Sequence, residues 1–458
     1  MRLRQWQREC VKLALERYRA HPHFLCLATP GAGKSMMSAE LAANLYRAGK
    51  IDFILCFAPS REVAAGLAST FERQVGQRFD GQIGAIGGAY TYQSMAYLDS
   101  VFWEMLDRYR VFVVFDEIHH CAGSNLNSAN SWGEEILRHI QDRAAYTLAL
   151  TGTPWRSDKR PIVLSRYGIN GIECDYVYGL RDAVLDGVCR KPNIVLIDND
   201  KLAIEEEGKH QEFAGISALL TGSKRAYRSI LHNETALRHC LEIGVEKLNH
   251  LRRSNSAAAG LVVASSVSHA RKVLQILKEQ LGQSASLVTY RENNARQVIS
   301  HFRLGDQPWI VSVGMISEGT DIPRIQVCCH LSSITTELYF RQILGRGIRI
   351  TPECDGDTWL YTFAEPKIVE YANRIAEDLP EHQIVFQETE HTSDITTPER
   401  PCSPKSSAEN PSTYDGTSSL MSEEWSVHVS EPSAVDKPRS MEFLGAFTQK
   451  LCGLVLPT

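Results

Sequence analysis

The stretch "ATPGAGKS", residues 28–35, has the residue types and spacing of a phosphate-binding loop. It lies between an apolar run typical of a strand and a pattern typical of a helix, so its backbone N–H groups would face a phosphate. Lys34 would then reach the terminal phosphates, and the Ser35 hydroxyl would reach Mg²⁺. Ala28 replaces the usual first glycine. The alternative interpretation is a glycine-rich turn that only caps a helix. The loop residues predicted to hold a nucleotide are Thr29, Gly31, Ala32, Gly33, Lys34 and Ser35.

Two adjacent carboxylates, Asp116 and Glu117, end a second apolar run in "VFVVFDEIHH". A strand that ends there would place both side chains at the carboxyl edge of a sheet, where open α/β sheets bind ligands. Asp116 suits a metal shell, usually through water, and Glu117 is placed to orient and deprotonate an attacking water. The alternative is a pair of acidic residues that caps the next helix.

A glycine-broken stretch late in the chain, "QILGRGIRI" at residues 342–350, carries Arg346 and Arg349 three positions apart. A planar guanidinium suits the spread charge of a phosphoryl group better than an ammonium does. The alternative is a surface arginine pair on one face of a helix.

Short, continuously apolar runs alternate with longer helical patterns on both sides of an amphipathic segment, residues 234–253. Such an alternation is typical of parallel sheets covered by helices on both faces, so the predicted fold class is α/β. The pattern predicts α/β domains at 1–190 and 257–385, a helical connector at 191–256, a disordered linker at 386–440 and a short apolar tail segment at 441–458.

Composition narrows the class of protein further. The formal net charge of −5 gives no general attraction to a polyanion, so any contact with nucleic acid must come from a local basic groove. Twelve cysteines without a C-x-x-C pair are typical of buried free thiols in a reducing cytoplasm. The His-Cys runs at 119–121 and 328–330 lack zinc-ligand spacing. We expect no signal peptide and no membrane span.

The sequence 116–119 reads D-E-x-H, and with the phosphate loop it resembles the superfamily two helicases in their DEAH-like branch. Further stretches match the motif series of that family in order, over roughly residues 1–385. The chain is most similar to the helicase modules of restriction-type and DNA-repair translocases. The resemblance implies two tandem RecA-like domains that bind MgATP in the cleft between them.

The same resemblance implies roles for individual residues around the nucleotide. Arg349 is the expected arginine finger on the γ-phosphate, and Arg346 and Gln342 support it. Arg4 and Gln7 are expected to contact the adenine base, and Asp321 is expected to contact the ribose. Gly152 replaces the usual alanine of the coupling motif "TGTPWR". The residues expected to couple hydrolysis to movement are His119, Thr151 and Thr153.

The resemblance also implies a strand of nucleic acid that crosses both domains. Its expected contacts are Ser60, Arg61, Thr91, Gln93, Gly319 and Thr320. The implied function is an ATP hydrolase that acts as a helicase or translocase, with DNA favoured over RNA. Two alternatives stay open. One is an RNA helicase with the same pair of ATP-hydrolysing domains, and the other is an ATP-gated clamp that holds nucleic acid without sustained movement.

The last apolar segment, residues 441–456, has large apolar side chains at three- and four-residue spacing. This spacing predicts one face of a helix that docks onto a protein partner and is dispensable for ATPase activity. The glycines at 445 and 453 weaken the helix. The alternatives are a segment that folds back onto the α/β core and a segment with no role.

Overall fold

The computed structural model describes residues 3–125, 128–153, 156, 160–169, 171–206, 209–222, 226–292, 294–314, 322–350, 356–377, 383–387 and 440–453. Apolar strands build a six-stranded parallel sheet in the amino-terminal half, in the order β3-β2-β4-β5-β1-β8. Its strands are β1 His23–Ala28, β2 Phe53–Ala58, β3 Gly87–Thr91, β4 Val111–Phe115, β5 Tyr146–Thr151 and β8 Tyr176–Tyr178. Every residue of β4 is buried, because helices cover both faces of the sheet.

The helices of this first domain lie before, between and after its strands. They are α1 Gln5–Arg17, α2 Lys34–Arg47, α3 Arg61–Val75, α4 Ser100–Trp103, α5 Met105–Arg108, α6 Ser131–His139 and α7 Leu180–Leu185. Two short turns of 3₁₀ helix span Tyr92–Tyr97 and Ile118–His120. A separate hairpin pairs β6 Arg166–Gly168 with β7 Gly171–Glu173.

The second domain has an eight-stranded sheet in the order β13-β14-β12-β15-β16-β9-β19-β17. Its strands are β9 Pro192–Asn199, β12 Ala259–Ala264, β13 Ala285–Val288, β14 Trp309–Ser312, β15 Ile325–Leu331, β16 Thr358–Phe363, β17 Gln383–Gln387 and β19 Phe447–Gly453. The run from β13 to β9 is parallel, and β19 pairs antiparallel with both neighbours. The parallel six-stranded sheet and the largely parallel eight-stranded sheet, with their covering helices, confirm the predicted α/β class.

A small antiparallel sheet, β11-β10-β18, extends the second domain. Its strands are β10 Leu202–Glu206, β11 Lys209–Phe213 and β18 Ser440–Phe443. The helices of the domain are α8 Ile216–Gly222, α9 Ala226–His232, α10 Glu234–Ser254, α11 Val267–Gln275, α12 Ala295–Leu304, α13 Glu337–Gly347 and α14 Pro366–Glu377, with a π-helical turn at Ile276–Gln280. No helix in the described part of the chain is long and apolar enough to cross a membrane.

The segment 191–256 differs from the predicted helical connector. Its first strand, β9, pairs with β16 along six residues inside the second sheet. Helix α10 buries its apolar face, including Leu237 and Leu241, against the same sheet. Helix α10 is amphipathic, as its sequence pattern indicates. The partner that covers it is the second domain itself, so this segment is part of that domain.

The carboxyl-terminal segment also differs from the prediction, because it forms strands and not a helix. Strand β19 pairs with β9 from Phe447 to Gly453, and β18 pairs with β10. The Phe447 ring stacks on His239 with centroids 4.3 Å apart. Backbone bonds to the open edge of β9 outweigh a helical preference that the glycines already weaken. The alternative of a segment that folds back onto the core describes what is observed. Of the linker predicted at 386–440, residues 388–439 lie outside the described residues.

Removing residues 440–458 should therefore destabilise the second domain. We expect the free energy of unfolding to fall by about 3 kcal/mol, or roughly 6–12 °C in Tm, because β9 loses its antiparallel neighbour and buried side chains such as Cys452 lose their cover. Thermal unfolding of the shortened chain measures the effect. A chain that ends at residue 453 keeps both strands and is the matched control. Equal Tm values for both shortened chains would contradict a structural role for the segment.

Candidate nucleotide site between the two domains

The phosphate loop connects β1 to α2 through two glycines in the left-handed region. Gly31 has φ of 81° and Gly33 has φ of 97°. A side chain at Gly33 would be strained, and its Cβ would lie 2.8 Å from Gln7 Nε2. Lys34 begins α2, so the start of this helix points its free N–H groups into the loop. The conformation is that of an anion-binding loop, as the sequence predicts.

Arg4 and Gln7 contact the backbone of the phosphate loop. The Arg4 guanidinium donates from Nη1 to the Ala32 carbonyl oxygen at 2.7 Å. The Gln7 amide donates from Nε2 to the Gly33 carbonyl oxygen at 2.9 Å, and its Oε1 accepts from the Arg4 backbone N–H at 2.8 Å. These bonds hold the start of α1 against the loop. An adenine contact by either residue remains a proposal.

Glu117 lies at the centre of the site in a left-handed backbone conformation, with φ of 52°. Its Oε1 accepts from Lys34 Nζ at 3.0 Å, and its Oε2 accepts from the Gly152 N–H at 3.1 Å. Burial raises the pKa of this carboxyl, but Lys34, His119 and the two hydrogen bonds outweigh burial and lower the pKa to about 2. Glu117 is therefore ionised at neutral pH and paired with the lysine of the phosphate loop.

His119 connects this carboxylate to the loop after β5. Its Nδ1 lies 3.0 Å from Thr151 Oγ1 and 3.4 Å from Glu117 Oε2. The single Thr151 hydroxyl hydrogen points at the Thr153 carbonyl oxygen, 2.7 Å away, so the hydroxyl accepts from His119 and Nδ1 carries the proton. The Thr153 N–H also donates to Thr151 Oγ1, at 3.0 Å. A fully buried Thr151 thus links the Asp-Glu strand end to the predicted coupling loop.

Oxygen donors suited to Mg²⁺ lie on the same cleft as Lys34. Ser35 is on the first turn of α2, and Asp116 follows β4 with its side chain almost buried. The Asp116 backbone is fixed on both sides, since its N–H donates to Phe57 and its carbonyl accepts from the Tyr92 hydroxyl at 2.8 Å. A hydroxyl and a carboxylate are ligands that Mg²⁺ prefers, so these residues fit the ion.

Arg346, at the end of α13, and Arg349, just after that helix, approach the phosphate loop from the second domain. Arg346 is on the last turn of α13 and is only 7% exposed. A Cβ added to Gly31 would lie 3.1 Å from Arg349 Cγ, so the aliphatic part of Arg349 lies against the loop. A Cβ on Gly345 would likewise lie 3.0 Å from Pro30. Glycines on both sides let the two domains approach closely here.

A cleft of about 1170 Å³ brings most of the predicted site together. Predicted residues that line it are Gly31, Gly33, Lys34, Ser35, Ser60, Asp116, Glu117, His119, Thr153, Gln342, Arg346 and Arg349. Thr29 and Ala32, which also belong to the loop, are buried. Arg61 and Thr91 line a separate pocket of about 380 Å³ on the first domain, and Gln93 is half-buried on the turn beside it. Gly319, Thr320 and Asp321 lie outside the described residues.

Sequence reasoning missed several cleft residues on the second domain. Arg296 and Arg303 lie on α12, and Arg296 forms an ion pair with Glu62 of the first domain at 2.8 Å. Arg341, also on the cleft, bonds to Glu337 at 3.0 Å. The seven-residue spacing of the α12 arginines places them on one helix face, which was the available signal.

Two family models match the chain. The first, described as "Type III restriction enzyme, res subunit", matches residues 1–156, and the second, "Helicase conserved C-terminal domain", matches residues 244–351. An uncharacterized protein of Mycobacterium leprae is 28% identical over 365 residues, which cover 76% of this chain and 59% of that protein. The chain thus spans about three-fifths of the length of this curated relative.

Solved structures agree with the predicted architecture. A fragment described as an HsdR subunit of a type I restriction enzyme from Vibrio vulnificus aligns with a TM-score of 0.58 and 17% identity, over 82% of this chain and 67% of that one. S. cerevisiae Dbp5, solved with RNA and ADP BeF3, aligns with a TM-score of 0.50 and 13% identity, over 83% and 88%. The two tandem RecA-like domains are therefore confirmed. Each of the two RecA-like domains thus matches its own family model, and the fold resembles that of a restriction-enzyme subunit.

Proposed function

We propose that this protein is a nucleic-acid-dependent ATPase that couples hydrolysis of MgATP to movement along a strand. One observation carries the proposal: the Lys34–Glu117 pair of the first domain faces Arg346 and Arg349 of the second domain across one cleft. Separate domains that supply the two halves of one phosphate site make hydrolysis depend on closure. Closure and reopening would change, in turn, how tightly each domain binds the strand.

The contacts of Glu117 suggest how phosphate binding prepares the reaction. Lys34 is bonded to Glu117 here, and an arriving phosphate would compete for the same ammonium. Glu117 would then lose its strongest charge partner and be free to accept a proton from the water that attacks the γ-phosphorus. The oxygen between the β- and γ-phosphates leaves with ADP. Ser35 and Asp116 would hold Mg²⁺, which would supply positive charge against the phosphates.

The nucleic acid would cross the face that carries Ser60, Arg61 and Thr91. Arg61 is exposed at the start of α3, and Ser60 caps that helix by accepting from the Val63 N–H. We favour DNA, since the restriction-enzyme model matches the first domain. An RNA helicase is the second candidate, because the Dbp5 structure with this fold holds RNA. We also infer a cytoplasmic location, since the ten described cysteines are free thiols that a reducing compartment preserves.

Steady-state ATPase assays with no nucleic acid, single-stranded DNA, double-stranded DNA or RNA test this function. We expect DNA to raise kcat by about 10-fold or more and the apparent affinity for single strands to fall steeply with salt, because backbone phosphates would dominate binding. Lys34→Ala is the control for contaminating ATPases, since it removes the ammonium of the phosphate loop.

Three outcomes separate the candidates. Stimulation by RNA but not DNA would favour the RNA helicase. Tight binding of DNA that responds to ATP, without sustained turnover, would favour the clamp. Equal ATPase rates with and without every nucleic acid would contradict the proposed coupling.

A further inference from the structure

A buried arginine lies on the segment that connects the two domains. Arg190 follows α7 of the first domain and precedes β9 of the second, and it is only 1% exposed. Its Nη1 donates to the carbonyl oxygens of Ile325 and Gly347, each at 2.8 Å. Gly347 is the last residue of α13, where helical carbonyls have no partner within the helix. Arg190 therefore caps the helix that presents Arg346.

The backbone of the same segment pairs with the residues after α13. The Arg190 N–H donates to the Ile348 carbonyl oxygen at 2.7 Å, and Cys189 forms an antiparallel bridge with Arg349. A single short stretch of the linker thus holds residues 347–349 through side-chain and main-chain bonds together.

The linker is in turn anchored to the first domain. The Cys189 N–H donates to the Ala183 carbonyl oxygen at the end of α7, at 2.9 Å. The Cys189 thiol lies 3.5 Å from the Pro30 carbonyl oxygen in the phosphate loop. The position of Arg349 relative to the loop is therefore set by a chain of contacts that passes through residues 189 and 190.

We infer that Arg190 is a positioning residue, which holds Arg349 within reach of the phosphate loop and acts on the nucleotide only through it. The inference rests on the proposed ATPase function. Loss of the guanidinium would leave two buried carbonyls unsatisfied and loosen residues 347–350. Nucleotide binding by Lys34 and its loop would persist, because those groups belong to the first domain.

The test measures kcat and KM for Arg190→Met and Arg190→Lys, each with and without Arg349→Ala. We expect Arg190→Met to lower kcat by about 10- to 100-fold, the scale for misplaced catalytic groups, with KM changed less than about 3-fold. In the Arg349→Ala background it should lower kcat no further. Arg190→Lys should restore part of the rate, since one nitrogen makes both carbonyl bonds and an ammonium has three hydrogens.

Arg324→Met is the matched control. Arg324 is a buried arginine of the same domain that bonds to the carbonyls of Phe302, Ala257 and Gln307, whereas Arg190 Nη1 bonds to those of Ile325 and Gly347. It should lower Tm without lowering kcat per folded molecule. Hydrogen exchange adds a readout that needs no activity: peptides covering 343–350 should exchange faster in Arg190→Met and remain unchanged in Arg324→Met.

Each outcome decides the inference. An equal loss of kcat with and without Arg349, or a loss shared by Arg324→Met, would reduce Arg190 to a residue of general stability. Unchanged exchange at 343–350 would overturn the positioning role even if the parent protein hydrolysed no ATP. If the parent protein hydrolysed no ATP, the proposed function would fail. Faster exchange at 343–350 in Arg190→Met would in that case still support the positioning role of Arg190.

Discussion

Glu117→Gln should retain ATP binding and lose nearly all turnover, by about 10³-fold or more in kcat. The amide keeps the size of the side chain and can still accept from the Gly152 N–H, which lies 3.1 Å from Oε2. It cannot take a proton from the attacking water. Binding of a fluorescent ATP analogue and single-turnover hydrolysis measure the two effects separately.

The substitution should also weaken the contact with Lys34, since the charge that attracts the ammonium at 3.0 Å is gone. We therefore expect ATP affinity to stay equal or to rise slightly, because the phosphates no longer compete with a carboxylate. Glu16→Gln makes the same chemical change on the exposed face of α1 and should leave both measurements at the parent values. Parent-like hydrolysis by Glu117→Gln would remove this residue from the catalytic role.

Arg349→Ala should lower kcat by about 10³-fold, the scale of arginine fingers, with little change in KM. Arg349 is supplied by the second domain, and its aliphatic part lies against Gly31, so its guanidinium is within reach of a nucleotide held by Lys34. The defect should persist at saturating ATP, because the lost charge stabilises the transition state. Steady-state kinetics with saturating nucleic acid provide the measurement.

Arg349→Lys distinguishes charge from geometry at the same position. An ammonium keeps the positive charge but lacks the planar fork, so we expect kcat to stay well below the parent value. A variant of either kind that raises KM and leaves kcat intact would make Arg349 a ground-state ligand. Normal values of both parameters would exclude the residue from the reaction.

Local chemistry explains why most of the site was predictable from the sequence. The phosphate loop, the Asp-Glu pair and the arginine motif each occupy consecutive residues, and strand ends of a parallel sheet must meet at one edge. In the structure these groups line one cleft. Their individual roles in hydrolysis remain predictions.

Interactions between distant parts of the chain explain what the sequence did not reveal. Spacing alone could not show that residues 447–453 would join β9 as a strand, because the decision depends on an open sheet edge about 250 residues earlier. The same holds for Arg4 and Gln7, whose bonds go to loop carbonyls about 27 residues away. Arg190 lies in a linker, where no sequence pattern indicates which groups an arginine will bind.

The sequence by itself determined the α/β class, the phosphate loop, the acidic pair and the arginine motif, because short apolar strands and glycine-rich turns depend on neighbouring residues. Only the tertiary structure decided which strands complete the second sheet and which groups hold Arg349 near the phosphate loop. Those contacts join backbone carbonyls of Ile325, Gly347 and Ile348 to Arg190. Carbonyl groups are the same at every position of every chain, so their partners become visible only when the fold brings them together.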